Sequence, residues 1–159
     1  MGLDMYLYAK QSFIDKEWQK EDDARRLTHR ELVKTLDCDK FICKSNLGSI
    51  VTSVEVAYWR KANGIHQWFV DKCQDGNDDC RAAYVSRDKL TELLNICKQI
   101  TADNSLAEEL LPTQGGFFFG ETKYGMNYTN DLEYTKRIID EILEYKSYCL
   151  NDLYYNSSW

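Results

Sequence analysis

The chain has 159 residues, of which 43% are hydrophobic and 29% charged, and it carries a net charge of −6 at pH 7. This length and balance are typical of a single globular domain that spans residues 1–159 and buries a sizeable core. The acidic charge excludes a protein that binds nucleic acid through its phosphate backbone, because such binding requires a basic surface.

Cellular location and metal binding are both constrained by the sequence. There is no export signal and no apolar run long enough to span a membrane, so we expect a cytoplasmic protein without a membrane contact. Its six cysteines should then be reduced thiols. Their spacing is not that of a zinc knuckle, although His66, Cys73 and Cys80 form an alternative ligand set. We expect neither a metal nor a cofactor.

The N-terminal residues predict a β-strand. Apolar side chains recur at every second position from Leu3 to Leu7, which is the period of a strand with one buried face. Asp4 lies between two of these apolar residues. It is either a solvent-facing strand residue or a carboxylate that meets a functional site on the sheet.

Residues 9–53 are the least regular part of the chain, and we expect a variable insertion there. The charge-rich stretch 12–26 predicts an exposed loop or a solvated helix. Thr28 and Glu31 fit a capping box that begins a short helix. Beyond that helix, two short apolar runs predict strands on either side of a turn at 46–48.

The stretch 56–70 is the densest mix of aromatic, cationic and amide side chains, and its spacing predicts an amphipathic helix. Apolar residues recur along it at the intervals with which a helix faces a core. Beside that stripe, Trp59, Asn63 and His66 form a second row. Gly64 interrupts the pattern, either as a tolerated defect or to let another backbone approach closely.

Two interpretations of this second row stay open. An indole face, a carboxamide and an imidazole suit a planar polar ligand such as a nucleobase, so the row predicts one wall of a pocket. Alternatively, Trp59 is the edge of a wide core face and His66 is a satisfied, half-buried histidine. Arg60 points away from the core, so a second chain would have to close the pocket, which favours a homo-oligomer.

The middle of the chain predicts a turn, a short strand and further helices. Residues 74–79 are a turn rich in carboxylates, without the spacing of a calcium-binding EF-hand loop. Residues 83–85 fit a brief strand, and Ser86 is a good N-cap for an amphipathic helix. A shorter helical segment after it should end before Pro112.

The stretch 113–120 holds three consecutive phenylalanines flanked by glycines, and it predicts a strand buried on both faces. The backbone N–H groups of Gln114, Gly115 and Gly116 are an alternative candidate for an anion-binding nest. Asn130 predicts the start of the final helix. The tail at 150–159 is expected to be loose or to contact another chain.

The order of these elements predicts the fold class. Strands lie towards the two ends of the chain with helices between them, and there is no regular alternation of strand and helix. This order favours an α+β fold in which three or four amphipathic helices pack on a small antiparallel sheet.

Several blocks of the chain resemble a family of small bacteriophage and prophage proteins. The matching blocks are MGLDMYL at the N-terminus, AYWRKAN with IH and WFV in 57–70, DDC at 78–80, YVS at 84–86, and LLPTQ with GFFFG in 110–120. The resemblance covers residues 1–8 and 54–145. It implies expression in the cytoplasm of an infected bacterium, and it transfers no catalytic residue.

The leading functional hypothesis is a non-enzymatic protein that binds a small nucleotide-derived ligand, as a phage protein that sequesters an immune signal would do. Aromatic stacking would hold a base, and Arg60 or Lys61 would hold a phosphate. The candidate ligand-binding residues are Trp59, Arg60, Asn63, His66, Gln114, Gly115 and Phe118.

Two other classes of function stay open. One is an inhibitor that binds a host protein through an acidic, tyrosine-rich surface. The other is a small hydrolase in which His66 is the general base and Asp4 or Asp79 orients it. Because no nucleophile is marked, we assign no catalytic residue.

Overall fold

The computed structural model describes residues 2–16, 18–41, 48–145 and 152–159. Its elements in chain order are β1 (Asp4–Ile14), α1 (Ala24–Thr35), β2 (Ser49–Arg60), α2 (Asn63–Cys73), β3 (Ala83–Val85), α3 (Arg87–Ala102), α4 (Ala107–Leu110), α5 (Met126–Glu144) and β4 (Asp152–Ser158). Short 3-10 turns lie at Asp39–Phe41 and Asn104–Leu106. Within the described ranges, no helix is long and apolar enough to cross a membrane.

The four strands pair in the order β2-β1-β4-β3 and form an antiparallel sheet. Together with the helices, this sheet confirms the α+β prediction. The chain divides into two compact units, one formed by Met1–Ala9 with Val54–Trp159 and the other by Lys10–Ser53. The second unit nearly coincides with residues 9–53. That this segment is an insertion, and that the whole chain is one domain, stay predictions.

The larger unit has a hydrophobic core built from alternate strand residues and the apolar faces of helices. α3 packs against α5, and α2 packs against β3 and β4. Its largest fully buried side chains are Leu3, Met5, Leu7, Ile65, Phe69, Leu90, Leu93, Ile100, Leu111, Leu132, Ile139 and Tyr155. Each such burial contributes about 1.5–3 kcal/mol to folding. The predicted buried face of the first strand is confirmed.

β4 is an internal strand, where the sequence predicts a loose tail. It lies between β1 and β3, with Leu153 opposite Val85 and Tyr155 opposite Ala83. Leu153, Tyr155 and Ser157 are buried and alternate with more exposed neighbours. The prediction is wrong because the polar and aromatic composition of this segment masks a strand period of two.

The stretch 56–70 is not one helix. Buried and exposed side chains alternate from Ala57 to Arg60, as they do in a strand, and this part ends β2. Lys61 then has a φ of 60°, a left-handed conformation that interrupts the extended chain. α2 begins only at Asn63. The helical prediction is wrong for 56–62 because a short apolar run fits both the strand and the helix period.

The three phenylalanines at 117–119 form a turn and not the predicted buried strand. Phe117 is 96% exposed. The N–H of Phe119 closes the turn by donating to the carbonyl of Gly116 at 3.2 Å. The prediction is wrong because the flanking glycines favour a bend more strongly than the phenylalanines favour a strand.

Three further predictions for the larger unit are confirmed, and the predicted start of the last helix is not. β3 is the predicted brief strand, and the side chain of Ser86 caps α3 by accepting from the N–H of Lys89 at 3.2 Å. α4 ends before Pro112. The last helix, α5, begins at Met126, earlier than the predicted start at Asn130, and it has no side-chain cap.

The smaller unit, Lys10–Ser53, contains α1. The side chain of Asp23 caps this helix by accepting from two backbone N–H groups of the first turn. Thr28, the predicted cap, lies inside the helix and donates its hydroxyl to the carbonyl of Ala24 at 2.8 Å. The capping-box prediction is therefore wrong by about one turn. The first of the two predicted strands precedes the turn at 46–48. Residues 42–47, which include most of that strand and the first two residues of the turn, lie outside the described residues.

Candidate functional site

A polar cleft of about 270 Å³ lies in the larger unit. It is formed by the end of β2, the first turn of α2, the loop between α4 and α5, and the first turns of α5. Its lining residues are Arg60, Lys61, Ala62, Asn63, Gly64, Ile65, Thr113, Gly120, Glu121, Lys123, Asn127, Tyr128, Asn130, Asp131 and Leu132.

The first turn of α2 brings unpaired backbone N–H groups to this cleft. The helix has no side-chain cap at its N-terminus. The N–H groups of Gly64 and Ile65 have no hydrogen-bond partner in the described part of the chain. Because peptide dipoles align along a helix, such an N-terminus carries a partial positive charge. This end of the cleft therefore favours an anionic group.

Gly64 permits the close approach of a second backbone segment. A Cβ atom at this position would lie 3.3 Å from the carbonyl oxygens of both Leu111 and Pro112. That separation is tighter than ordinary van der Waals contact, so a larger residue would push the two segments apart. Of the two interpretations of this glycine, the structure supports close approach.

Asn63 holds the loop that forms one wall of the cleft. Its side chain is 3% exposed. The Nδ2 group donates to the carbonyls of Phe119 at 3.0 Å and Glu121 at 2.9 Å. Its Oδ1 atom accepts from the N–H of Gln114 at 3.1 Å. The polar atoms of Asn63 are thus used to fix the loop against α2.

Three basic side chains line the cleft. The side chain of Arg60 is 61% exposed, and its Nε atom lies 3.9 Å from the carboxylate of Asp4. The ammonium of Lys123 lies 3.6 Å from the carboxylate of Glu121. Lys61 makes no ion pair within the described residues. The cleft is therefore locally basic on a chain whose net charge is −6.

The cleft also contains one carboxylate without a partner. No hydrogen bond or ion pair reaches the carboxylate of Asp131 from any described residue. Burial alone raises the pKa of this carboxyl from 3.8 to about 6. A half-buried charge without a partner destabilises the fold, so its presence in a cleft marks a candidate functional group.

The structure places the predicted site residues in different environments. Arg60 and Asn63 line the cleft. Trp59 is 2% exposed, and its Nε1–H donates to the hydroxyl of Thr135 at 2.9 Å in the core. Trp59 belongs to β2 and His66 to α2, so the predicted open row of Trp59, Asn63 and His66 does not exist.

The other predicted positions also lie away from the cleft lining. Gln114 contributes its backbone N–H to Asn63, and Gly115 is exposed. Phe118 uses its carbonyl to accept from the N–H of Leu3 at 3.0 Å. The predicted anion-binding nest at Gln114 and Gly115 is therefore not part of the cleft.

His66 is a buried structural residue, 0% exposed. Its Nδ1 atom lies 2.7 Å from the hydroxyl of Tyr155, and its Nε2 atom lies 3.0 Å from the carboxylate of Asp78. Burial raises the pKa of Tyr155 well above its ordinary value, so the phenol stays protonated and donates to Nδ1. Nε2–H then donates to Asp78, which satisfies both ring nitrogens.

This arrangement disfavours the general-base hypothesis, because substrate has no access to the ring of His66. Its carboxylate partner is Asp78 and not Asp4 or Asp79. Asp4 accepts a hydrogen bond from the hydroxyl of Tyr58, and Asp79 pairs with Arg81. Within the described ranges, no three His, Cys, Asp or Glu side chains converge as metal ligands do.

Sequence reasoning missed Lys123 and Asp131, and it named Lys61 only as an alternative to Arg60 for holding a phosphate. A signal for Asp131 is present in the chain, because it lies three residues after Tyr128 and four before Thr135, both of which are buried. An acidic residue at helical spacing on a buried stripe predicts either a hidden partner or a function. Lys123 carries no such signal, since its position depends on how the loop between α4 and α5 folds against α2.

Comparison of the chain with protein-family models, curated proteins and solved structures gives no match.

Replacing Tyr155 with phenylalanine removes the hydroxyl that bonds His66 and leaves Nδ1 unpaired in the core. We expect the free energy of unfolding to fall by about 1–3 kcal/mol, as measured by urea denaturation followed by circular dichroism. Tyr84→Phe on β3 is the matched control, because Tyr84 is 52% exposed. Its effect should stay within about 0.5 kcal/mol, and equal losses in both variants would contradict a role for this bond.

Asp131→Asn removes the charge and keeps the shape of the side chain. Because the pKa is raised to about 6 in the folded state, the carboxyl costs no stability below about pH 4, and the cost grows as the pH rises through about 6. We expect the variant to be more stable than the wild type by up to about 3 kcal/mol at about pH 7.5. The difference in the free energy of unfolding between variant and wild type should nearly vanish at about pH 4. If urea denaturation shows that this difference does not change with pH, the charge of Asp131 does not destabilise the fold.

Proposed function

We propose that the chain is a non-enzymatic binding protein that holds a small anionic, nucleotide-like ligand in the polar cleft beside α2. The observation that carries the proposal is the convergence of an uncapped helix N-terminus with the side chains of Arg60, Lys61 and Lys123 on one concave surface. Each of these groups favours negative charge, and a ligand phosphate would bring it.

Among the described residues that line the cleft, no nucleophile lies beside a general base, and this supports binding over catalysis. His66, the only histidine in the larger unit, is enclosed in the core. The polar side chains in the cleft are cations, amides, two carboxylates and the hydroxyls of Thr113 and Tyr128, which donate to the carbonyls of Thr122 and Leu111. These groups recognise charge and hydrogen bonds without any arrangement for covalent chemistry.

The resemblance to bacteriophage proteins supplies the biological setting of the proposal. In that setting the protein acts in the cytoplasm of an infected bacterium and sequesters a nucleotide-derived signal of the host. A sequestering protein requires affinity and no turnover, which is consistent with the polar cleft. Because Arg60 lines the cleft within one chain, binding does not require a second chain to close the pocket, and the homo-oligomer stays a separate prediction.

Inhibition of a host protein is a second candidate, favoured by the exposed apolar side chains near the same loop. Phe117 is 96% exposed and Met126 is 80% exposed. Large apolar side chains with this exposure are common in protein interfaces. Capture of one host protein by the wild type but not by Phe117→Ser would support this candidate over the first.

Lys61→Gln tests the proposed function, because it removes one cleft charge and retains the length of the side chain. We expect affinity for AMP or inorganic phosphate at low salt, measured by isothermal titration calorimetry, to fall about tenfold. Lys72→Gln is the matched control, since Lys72 lies in the last turn of α2 and pairs with Glu92 at 3.3 Å.

The control variant should bind as the wild type does. Added salt should weaken binding to the wild type, because the attraction between charges is screened. No heat of binding with either ligand, or an equal loss of affinity in both variants, would overturn the proposed function.

A further inference from the structure

The cleft is lined by two chemically different kinds of group. One kind favours anions, namely Lys61 and the N–H groups of Gly64 and Ile65, which have no partner among the described residues. The other is the carboxylate of Asp131, which forms no hydrogen bond or ion pair with a described residue. An anion alone would bind the first kind and leave the carboxylate unpaired. A ligand that uses the whole cleft must therefore carry both a negative group and hydrogen-bond donors.

The charges around Asp131 limit what those donors are. The charged groups that line the cleft with it are Arg60, Lys61, Glu121 and Lys123. Arg60 and Lys123 lie beside the carboxylates of Asp4 and Glu121, whereas Lys61 makes no ion pair within the described residues. Lys61 would therefore repel a cationic ligand group in the same cleft. Neutral O–H groups meet no such repulsion and form charge-assisted hydrogen bonds with a carboxylate. Two neighbouring hydroxyls match the two oxygens of one carboxylate.

The volume of the cleft limits the size of the group that it encloses. At about 270 Å³, it is slightly smaller than the roughly 300–1,000 Å³ of pockets that enclose a drug-sized ligand. A sugar and its phosphate fit such a space, and an attached base would lie at the mouth. Because Tyr128 is only 7% exposed and uses its hydroxyl to bond Leu111, it offers no open aromatic face for stacking inside.

We propose that Asp131 determines the specificity of the cleft by accepting hydrogen bonds from the vicinal hydroxyls of a ribose whose phosphate lies at the N-terminus of α2. This inference rests on the proposed function and narrows it to ribose phosphates. It also gives a reason for a half-buried carboxylate whose charge destabilises the fold. The raised pKa of Asp131 is consistent with a group that lacks its partner when the cleft is empty.

The test compares AMP, 2′-deoxy-AMP and inorganic phosphate as ligands in calorimetric titrations. The proteins are the wild type, Asp131→Asn and Asp140→Asn. Asp140 lies on the same helix, α5, and pairs with Lys98 at 3.1 Å, so it is a matched control away from the cleft lining. Unfolding curves at the titration pH show that each variant is folded.

We expect the wild type and Asp140→Asn to bind AMP about tenfold more tightly than 2′-deoxy-AMP, because one charge-assisted hydrogen bond is lost. Asp131→Asn should bind both nucleotides with similar affinity and retain its affinity for phosphate. If the wild type binds both nucleotides equally, or if Asp131→Asn keeps the preference, the ribose inference is overturned and the anion site stands. If no ligand binds the wild type, both proposals are overturned.

Discussion

The hydrogen bonds of the Asn63 side chain determine whether the cleft exists. This one carboxamide donates to the carbonyls of Phe119 and Glu121 and accepts from the N–H of Gln114. It therefore connects the first turn of α2 to both ends of the loop that faces it. Buried hydrogen bonds of this kind are costly to break, because each freed group would be left unpaired in the interior. With Gly64 allowing the backbone at Leu111 to approach, the loop is held close enough to α2 to form a concave surface.

Two buried or half-buried polar side chains in the larger unit, His66 and Asp131, differ in whether hydrogen bonds compensate for their burial. His66 is enclosed by the core, and both of its ring nitrogens have partners in Tyr155 and Asp78. Asp131 has a raised pKa, and its carboxylate has no hydrogen-bond or ion-pair partner among the described residues. The first arrangement stabilises the fold and joins α2 to β4, whereas the second destabilises it and faces a cleft. A structural role thus explains the histidine that sequence reasoning placed in a binding site, and the proposed contact with a ligand would explain the carboxylate that it overlooked.

Local patterns in the sequence predicted the elements whose period is clear. The alternation from Leu3 to Leu7, the Ser86 cap and the stop before Pro112 all depend on neighbouring residues, and all three are confirmed. The α+β class followed from the order of such elements. The strand at 152–158 and the turn at 117–119 could not be predicted in this way. Their conformations depend on distant partners, namely β1 and β3 for the strand and Asn63 for the loop that contains the turn. The site was predicted in part for the same reason, since Arg60 and Asn63 are close in sequence but Asp131 and Lys123 reach the cleft only through tertiary folding.

The central claim is that the first turn of α2 binds the phosphate of a small ligand. The most direct measurement is a titration of ¹⁵N-labelled protein with AMP, followed by amide chemical shifts in NMR spectra. A phosphate bound at this helix terminus accepts hydrogen bonds from the N–H groups of Gly64 and Ile65. The account predicts progressive downfield shifts of these two amide protons, which saturate with the ligand. Saturable binding that leaves both resonances unchanged would contradict it.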